Sequence, residues 1–205
     1  MDKPYVVGIT GCSGSGKTYF LNKLVEHFEK EQLAVLSMDN YYKPITEQVR
    51  DENNVVNFDL PESIDREAFH QGTLKLVNGE TVWLEEYVFN VRDVTPSVIE
   101  IQPAPIVIVE GIFSFYYEEV FDEMDLKIFV ESTEEIMLNR RIERDEKERG
   151  YHDRSIRYRF EHHVLPSYRE FVLPGRMKAD LIVPNDLNFD VAFDLVSGFL
   201  KSRFS

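Results

Sequence analysis

Residues 11–18 read Gly11-Cys12-Ser13-Gly14-Ser15-Gly16-Lys17-Thr18, which fits G-x-x-x-x-G-K-S/T. Glycines, small polar residues and one lysine at that spacing can grip a polyphosphate. The glycines let backbone N–H groups turn inward at angles that a Cβ forbids, and a helix beginning at the end of the loop adds partial positive charge. Gly11, Ser13, Gly14, Ser15, Gly16, Lys17 and Thr18 are therefore the candidate nucleotide contacts, with Lys17 on the β- and γ-phosphates and the Thr18 hydroxyl on Mg²⁺. The flanks agree. Tyr5–Thr10 is a short β-branched run, and Phe20, Leu21, Leu24, Val25 and Phe28 fall on one helical face. Strand, glycine loop and helix predict an NTP-binding protein, with ATP and Mg²⁺ as the expected cofactors.

Phosphoryl transfer needs a metal carboxylate, an acceptor-side base and cations around the transferred group. Glu110 ends the apolar run Ile106-Val107-Ile108-Val109 and is the candidate metal ligand beside Thr18. Asp39 follows a second apolar run, Leu33–Ser37, which reads as the parallel neighbour in a βαβ unit. Ligands collect outside the carboxyl ends of such strands, which places Asp39 near the phosphate loop and makes it the candidate general base, an effect worth about 10²–10⁴ in rate. Arg140, Arg141, Arg144 and Arg149 lie on or at the end of one helix, and Arg141 and Arg144 can face one anion. Glu143, Asp145, Glu146 and Glu148 share that helix, so its charge pattern by itself reads as a solvated, salt-bridged surface. Trp83, Tyr87 and Phe89 can stack on a flat ring or simply pack. His162-His163 has no metal-ligand spacing to a third ligand and is read as structural. Cys12, the one cysteine, occupies a position that the loop motif leaves free, so a small residue that fits is preferred to a thiol activated by the helix N-terminus.

The elements that must position these residues alternate. After the strands and helix already named, residues 45–62 are polar and irregular. A helix is expected from Ser63 or Asp65 to Asn78-Gly79. Extended pieces at 81–84 and 87–91 predict a small ribbon. Strands follow at 105–111 and 126–130, and Ser132 with Glu135 forms a capping box for a helix to Arg149, stopped by Gly150. Helix is expected from His152 to Phe171 with a break or kink at Pro166, then a strand at 179–183 and a helix over 188–199. The pattern predicts an α/β fold, a doubly wound parallel sheet with helices on both faces. It forms a single domain over 1–205, with a ribbon insertion at about 80–101 and a helical lid at about 140–165. The chain has 205 residues and a formal charge of −14, which disfavours general nucleic-acid binding. Residues 140–178 nevertheless carry a net +4, the mark of a local anion site. One cysteine excludes an intramolecular disulfide. No signal-peptide pattern and no membrane-length apolar run are visible, so a soluble, cytoplasmic protein with no membrane partner is expected.

The chain resembles the uridine kinase (uridine–cytidine kinase) family within the phosphoribulokinase/uridine kinase group of P-loop kinases. The likeness rests on residues 11–18, Asp39-Asn40-Tyr41-Tyr42-Lys43, Asn57-Phe58-Asp59-Leu60-Pro61, Val109-Glu110-Gly111-Ile112, Arg140–Asp145 with Glu148-Arg149-Gly150, and Ala179–Pro184. The resemblance implies Asp39 as catalytic base near the metal, Thr18 with Glu110 as Mg²⁺ holders, and Asp59 with Arg141 on the ribose hydroxyls. It implies Lys17, Arg144 and Arg149 as cations on the triphosphate, and Tyr42, Phe58, Tyr87 and Phe89 around the acceptor. Its histidine position in the base pocket is Arg92 here, an arginine after the lid glycine is Tyr151, and a downstream glutamine is Arg159. A guanidinium only donates hydrogen bonds, so Arg92 suits the O4 carbonyl of uracil, or equally an anionic acceptor. The expected activity is transfer of the γ-phosphate to a small-molecule primary hydroxyl, first of all the 5′-OH of uridine. An anionic metabolite as acceptor and a non-catalytic NTP-binding module are the alternatives. The absence of an Asn-Lys-x-Asp tetrapeptide counts against a GTPase. Family likeness also points to a homo-oligomer.

Overall fold

A computed structural model describes residues 3–89 and 95–204. In chain order its elements are β1 (Tyr5–Thr10), α1 (Lys17–His27), β2 (Leu33–Ser37), α2 (Arg66–Val77), β3 (Val82–Glu85), β4 (Val98–Ile101), β5 (Ile106–Glu110) and α3 (Glu118–Phe121). There follow β6 (Leu126–Glu131), α4 (Glu134–Glu148), α5 (Asp153–Arg159), α6 (Leu165–Ser167), β7 (Leu181–Pro184) and α7 (Asp190–Phe204).

Five strands form one parallel sheet in the order β2-β5-β1-β6-β7. β5 is buried along its whole length, as a parallel strand covered on both faces must be. Alternate strand residues feed opposite layers. Val6, Leu36, Val107, Val109 and Phe129 meet Phe69 and Leu76 of α2, while Val7, Ile9, Ile108 and Ile128 meet Phe20 and Leu24 of α1 and Leu200 of α7. Helices thus seal both faces, and the doubly wound expectation holds. Ile9 and Ser37 both pair in register with Glu110. The segments after β2, β5 and β1 therefore leave the sheet side by side, which brings residue 39, residue 110 and the glycine loop to one edge.

Several local expectations shift. Asp65 is the N-cap of α2, accepting from the Ala68 N–H at 2.9 Å. α4 is capped by Thr133, whose hydroxyl accepts from the Ile136 N–H at 3.4 Å. Ser132, the expected cap, instead donates to Asp186 at 2.9 Å, because β7 brings that loop beside it. The ribbon exists, but β3 pairs antiparallel with β4 rather than with residues 87–91. Residues 87–89 leave the ladder to join an aromatic cluster, and 90 and 91 lie outside the described residues. The helix does not end at Pro166. Wide turns at Phe160–Val164 and Tyr168–Val172 flank it and a 3₁₀ segment finishes at Lys178. The wider turns, with Leu165 N–H bonded to the Phe160 carbonyl, absorb the missing proline donor. Among the described residues no helix is long and apolar enough to cross a membrane.

Trp83, the only tryptophan, stands on the ribbon opposite Glu100 and is 62% exposed. Its fluorescence should be quenched freely by acrylamide and should not change when nucleotide is added. Protection from the quencher on nucleotide binding would contradict this placement.

Candidate active site

The loop after β1 is shaped by glycines where side chains are excluded. Gly14 has φ +85° and a Cβ there would lie 2.4 Å from the Met137 carbonyl oxygen. Gly16 has φ +95°, caps α1, and a Cβ there would lie 2.0 Å from Asn185 Nδ2. The loop is also braced from outside. Asn185 donates to the Ser15 carbonyl at 2.9 Å, and Arg140 donates to the same carbonyl at 3.4 Å and to the Asn185 carbonyl at 2.9 Å. Arg140 thus supports the loop rather than reaching into the cleft. Asn185 was not singled out by sequence; its position just past β7, at the ligand side of the sheet, was the available signal.

Beside the loop, Lys17 Nζ lies 3.6 Å from Glu110 Oε1. Ser37 Oγ donates to Glu110 Oε2 at 3.1 Å, and the Asp39 N–H donates to Ser37 Oγ at 3.3 Å. Glu110 is only 2% exposed. Burial pushes its carboxyl pKa up, Lys17 opposes this, and nearby Asp39 adds to it. Asp39, on the 3₁₀ turn after β2, lines the same cleft as Lys17 and Thr18. Glu110 therefore faces the lysine, and Asp39 lines the cleft that the lysine lines. Glu110 Oε1 accepts no hydrogen bond in its buried position, so one carboxylate oxygen is left aimed at the lysine side. Carboxylate and hydroxyl oxygens such as those of Glu110 and Thr18 are the donors a hard divalent cation takes, its other ligands coming from phosphate or water.

The arginines of α4 face inward. Arg141 donates to Ser13 Oγ at 2.9 Å and lies 3.6 Å from Asp59 and 3.2 Å from Asp145. Asp145 is 1% exposed and also pairs with Arg144 at 2.8 Å and Arg149 at 3.6 Å. One buried carboxylate thus gathers three guanidiniums. The solvated, salt-bridged surface expected from charge pattern is corrected for these residues; it survives only on the outer face, where Lys147 bonds Glu143 at 2.7 Å. Burial disfavours the charge of Arg141, but Asp59 and Asp145 outweigh it and raise its pKa. For Arg149, burial and the neighbouring Arg144 lower it. Asp145 appeared in the sequence only as a helix acid, and its role needed the third dimension to be seen.

The far wall is aromatic. The Tyr42 ring lies 5.9 Å from Phe58, 5.4 Å from Tyr87 and 5.2 Å from Phe89. Tyr42, Phe58, Phe89 and Asp59 line the cleft, while Tyr87 packs behind them and its N–H donates to Asn40 at 3.3 Å. Arg149 lies 4.2 Å above the Phe89 ring and Arg159 4.8 Å above Tyr151. Trp83 takes no part in the lining. Arg92 lies outside the described residues. Cys12 is buried among Met137, Phe160 and Val164, and burial pushes its thiol up to about 12, which agrees with the reading of a small residue that fits.

Residues 6–192 match the Phosphoribulokinase / Uridine kinase family. The chain is 33% identical over 205 residues to the uridine kinase of Bacillus pumilus, covering 98% of each. It is 32% identical over 203 residues to the uridine kinase of Lactobacillus helveticus, covering 98% of this chain and 96% of that one. The phosphoribulokinase from Rhodobacter spheroides shares the fold, with a TM-score of 0.64 and 13% identity over 90% of this chain and 71% of its own.

Two outcomes follow from this geometry. Asp145→Ala leaves three arginines without their shared buried partner and should cost about 3–5 kcal/mol in denaturant unfolding; a loss under about 1 kcal/mol, the range of a surface pair, would refute its hub position. Cys12 is buried and its thiol is pushed up, so at pH 8 it should stay protonated and shielded. A disulfide reagent should therefore titrate no thiol in the native protein and one after unfolding.

Proposed function

The chain belongs to the phosphoribulokinase/uridine kinase family and is a nucleoside kinase-like phosphotransferase of the P-loop kinase fold, and we propose that it moves the γ-phosphate of ATP to the 5′-OH of uridine, giving UMP. The observation that carries this reading is the convergence of Lys17, Asp39 and the Asp59–Arg141 pair on one cleft walled by Tyr42, Phe58 and Phe89.

In this reading Asp39 takes the proton of the attacking hydroxyl. Thr18 and Glu110, with Asp39 close by, would hold Mg²⁺, which would supply charge neutralisation for the phosphates. Ser13, Ser15 and the backbone N–H groups of Gly11, Gly14 and Gly16 hold the triphosphate, and Lys17, Arg144 and Arg149 balance the charge of the group in transit. Asp59 and Arg141 orient the ribose hydroxyls, fixed in turn by Ser13 and Asp145. Tyr42, Phe58, Tyr87 and Phe89 hold the base, with Arg92 donating to a pyrimidine carbonyl. The α4–α5 segment closes over the site and excludes water. The ATP and uridine reading rests on family membership and on the chemistry of these side chains.

One observation favours a second reading, a kinase whose acceptor is anionic. Arg159 lines the cleft with no carboxylate partner among the described residues, and such a cation can hold a phosphate or carboxylate on the acceptor.

A panel of nucleosides, sugar phosphates and hydroxy acids decides between the two: uridine should give the highest kcat/KM, and a higher value for an anionic acceptor would replace it. Asp39→Asn should lower kcat at least about 10²-fold with ATP affinity near the parent value. Near-normal turnover would remove Asp39 from the role of base.

A further inference from the structure

A second polar cluster lies between the acceptor loop and the helix beyond Gly150, and the chemistry above does not use it. Asp51 sits in the irregular stretch 43–60 that carries Phe58 and Asp59 into the cleft. Its two oxygens divide their work. Oδ1 accepts the backbone N–H groups of Asn53 at 2.9 Å and Val55 at 2.8 Å, which closes the loop on itself around Asn54 at φ +61°. Oδ2 serves the distant helix alone, accepting the Tyr158 hydroxyl at 2.7 Å and His163 Nε2 at 2.7 Å. Burial works against the Asp51 charge, but these four hydrogen bonds outweigh it and hold its carboxyl below the usual range. Facing an anion, Nε2 is the protonated nitrogen of His163. The imidazole is 3% exposed and its Nδ1 has no hydrogen-bond partner, so Asp51 is the polar contact that holds the ring.

Two further bonds run the same way. Asn53 Nδ2 donates to the Tyr158 hydroxyl at 2.7 Å, and Arg159 donates to the Val56 carbonyl at 3.4 Å. The loop already has its own closure, including the antiparallel bridge of Arg50 with Val56. The grip on α5 and the turn after it is therefore additional to what the loop's own fold requires. Gly150, with φ +65° and open space where a Cβ would be, supplies a joint between α4 and α5.

We propose that Asp51 and His163 are positioning residues that latch the acceptor loop to the α5 segment, so that Phe58 and Asp59 reach the acceptor as one unit with Tyr151 and Arg159. The latch acts on acceptor binding and leaves the nucleotide side untouched. Its kinetic consequence rests on the kinase reading above; its mechanical one does not.

The test compares Asp51→Ala, His163→Leu, the double variant and His163→Gln, whose amide can still donate to Asp51. Each of the first two should raise the uridine KM by about 10-fold, within the range of such couplings, with the KM for ATP and acceptor-independent ATP hydrolysis near the parent values. The double variant should be no worse than either single one, as expected of residues acting as a unit, and His163→Gln should recover most of the loss. Hydrogen exchange should quicken in both 51–59 and 153–163 whichever partner is changed. Equal rises in both KM values, additive losses, or exchange that quickens only around the altered residue would each overturn the latch. A parent enzyme that phosphorylates no nucleoside would overturn the uridine reading instead, and the exchange comparison, which needs no substrate, would still decide the latch.

Discussion

Lys17 and Glu110 face each other at 3.6 Å in a nearly dry position, and the rest of the molecule depends on that contact. Neither charge is tolerable there by itself, because burying an unpaired ion costs far more than a fold of this size can supply. Glu110 is in place because β5 lies between β2 and β1, and Lys17 because the glycine loop turns from β1 directly into α1. Sheet order, register and loop conformation are thus all tied to one ion pair. The pair is also imperfectly satisfied: Oε1 of the carboxylate accepts no hydrogen bond. A fully satisfied pair would be inert, whereas this one keeps a lone pair and an ammonium available to a ligand.

The same economy recurs on α4. Asp145 meets three guanidiniums, and Asp59 also meets one of them, Arg141. Among these named groups the cations outnumber the acids, so the arginines are gathered by shared acids rather than paired one for one. The acidic chain as a whole conceals this, since its −14 resides elsewhere. A local deficit within an acidic protein favours a small polyanion in the cleft over a long one lying across the surface.

What was legible in the sequence was whatever is encoded locally or by strand order. The glycine loop, the buried run of β5 and the acids at strand ends follow from short-range pattern plus the rule that ligands gather at carboxyl ends. The inward turn of Arg141 and Arg144 was legible only through the family resemblance, because α4 carries acids and bases on every face and periodicity cannot rank two charged faces. Nor was the pairing of β3 with β4, since the nearer segment 87–91 was equally strand-like. Asn185 against the loop and Asp51 against His163 are contacts between residues far apart in sequence, and only the folded arrangement makes them neighbours.

Two departures from the family pattern, Tyr151 and Arg159, looked independent in the sequence and are one unit in space. The Arg159 guanidinium lies 4.8 Å over the Tyr151 ring while donating to the Val56 carbonyl. Where the family pattern puts its cation directly after the lid glycine, this chain has an aromatic platform, and the cation comes to it from the end of α5. A guanidinium held by a ring face, the Val56 carbonyl and the Ser155 hydroxyl has less side-chain freedom to lose on binding than a free arginine has. A cation mounted on α5 moves with α5, and α5 is bonded to the loop that presents Asp59. The Asp59 side of the cleft is therefore bonded to a helix, whereas the glycine loop is built into the sheet edge beside it.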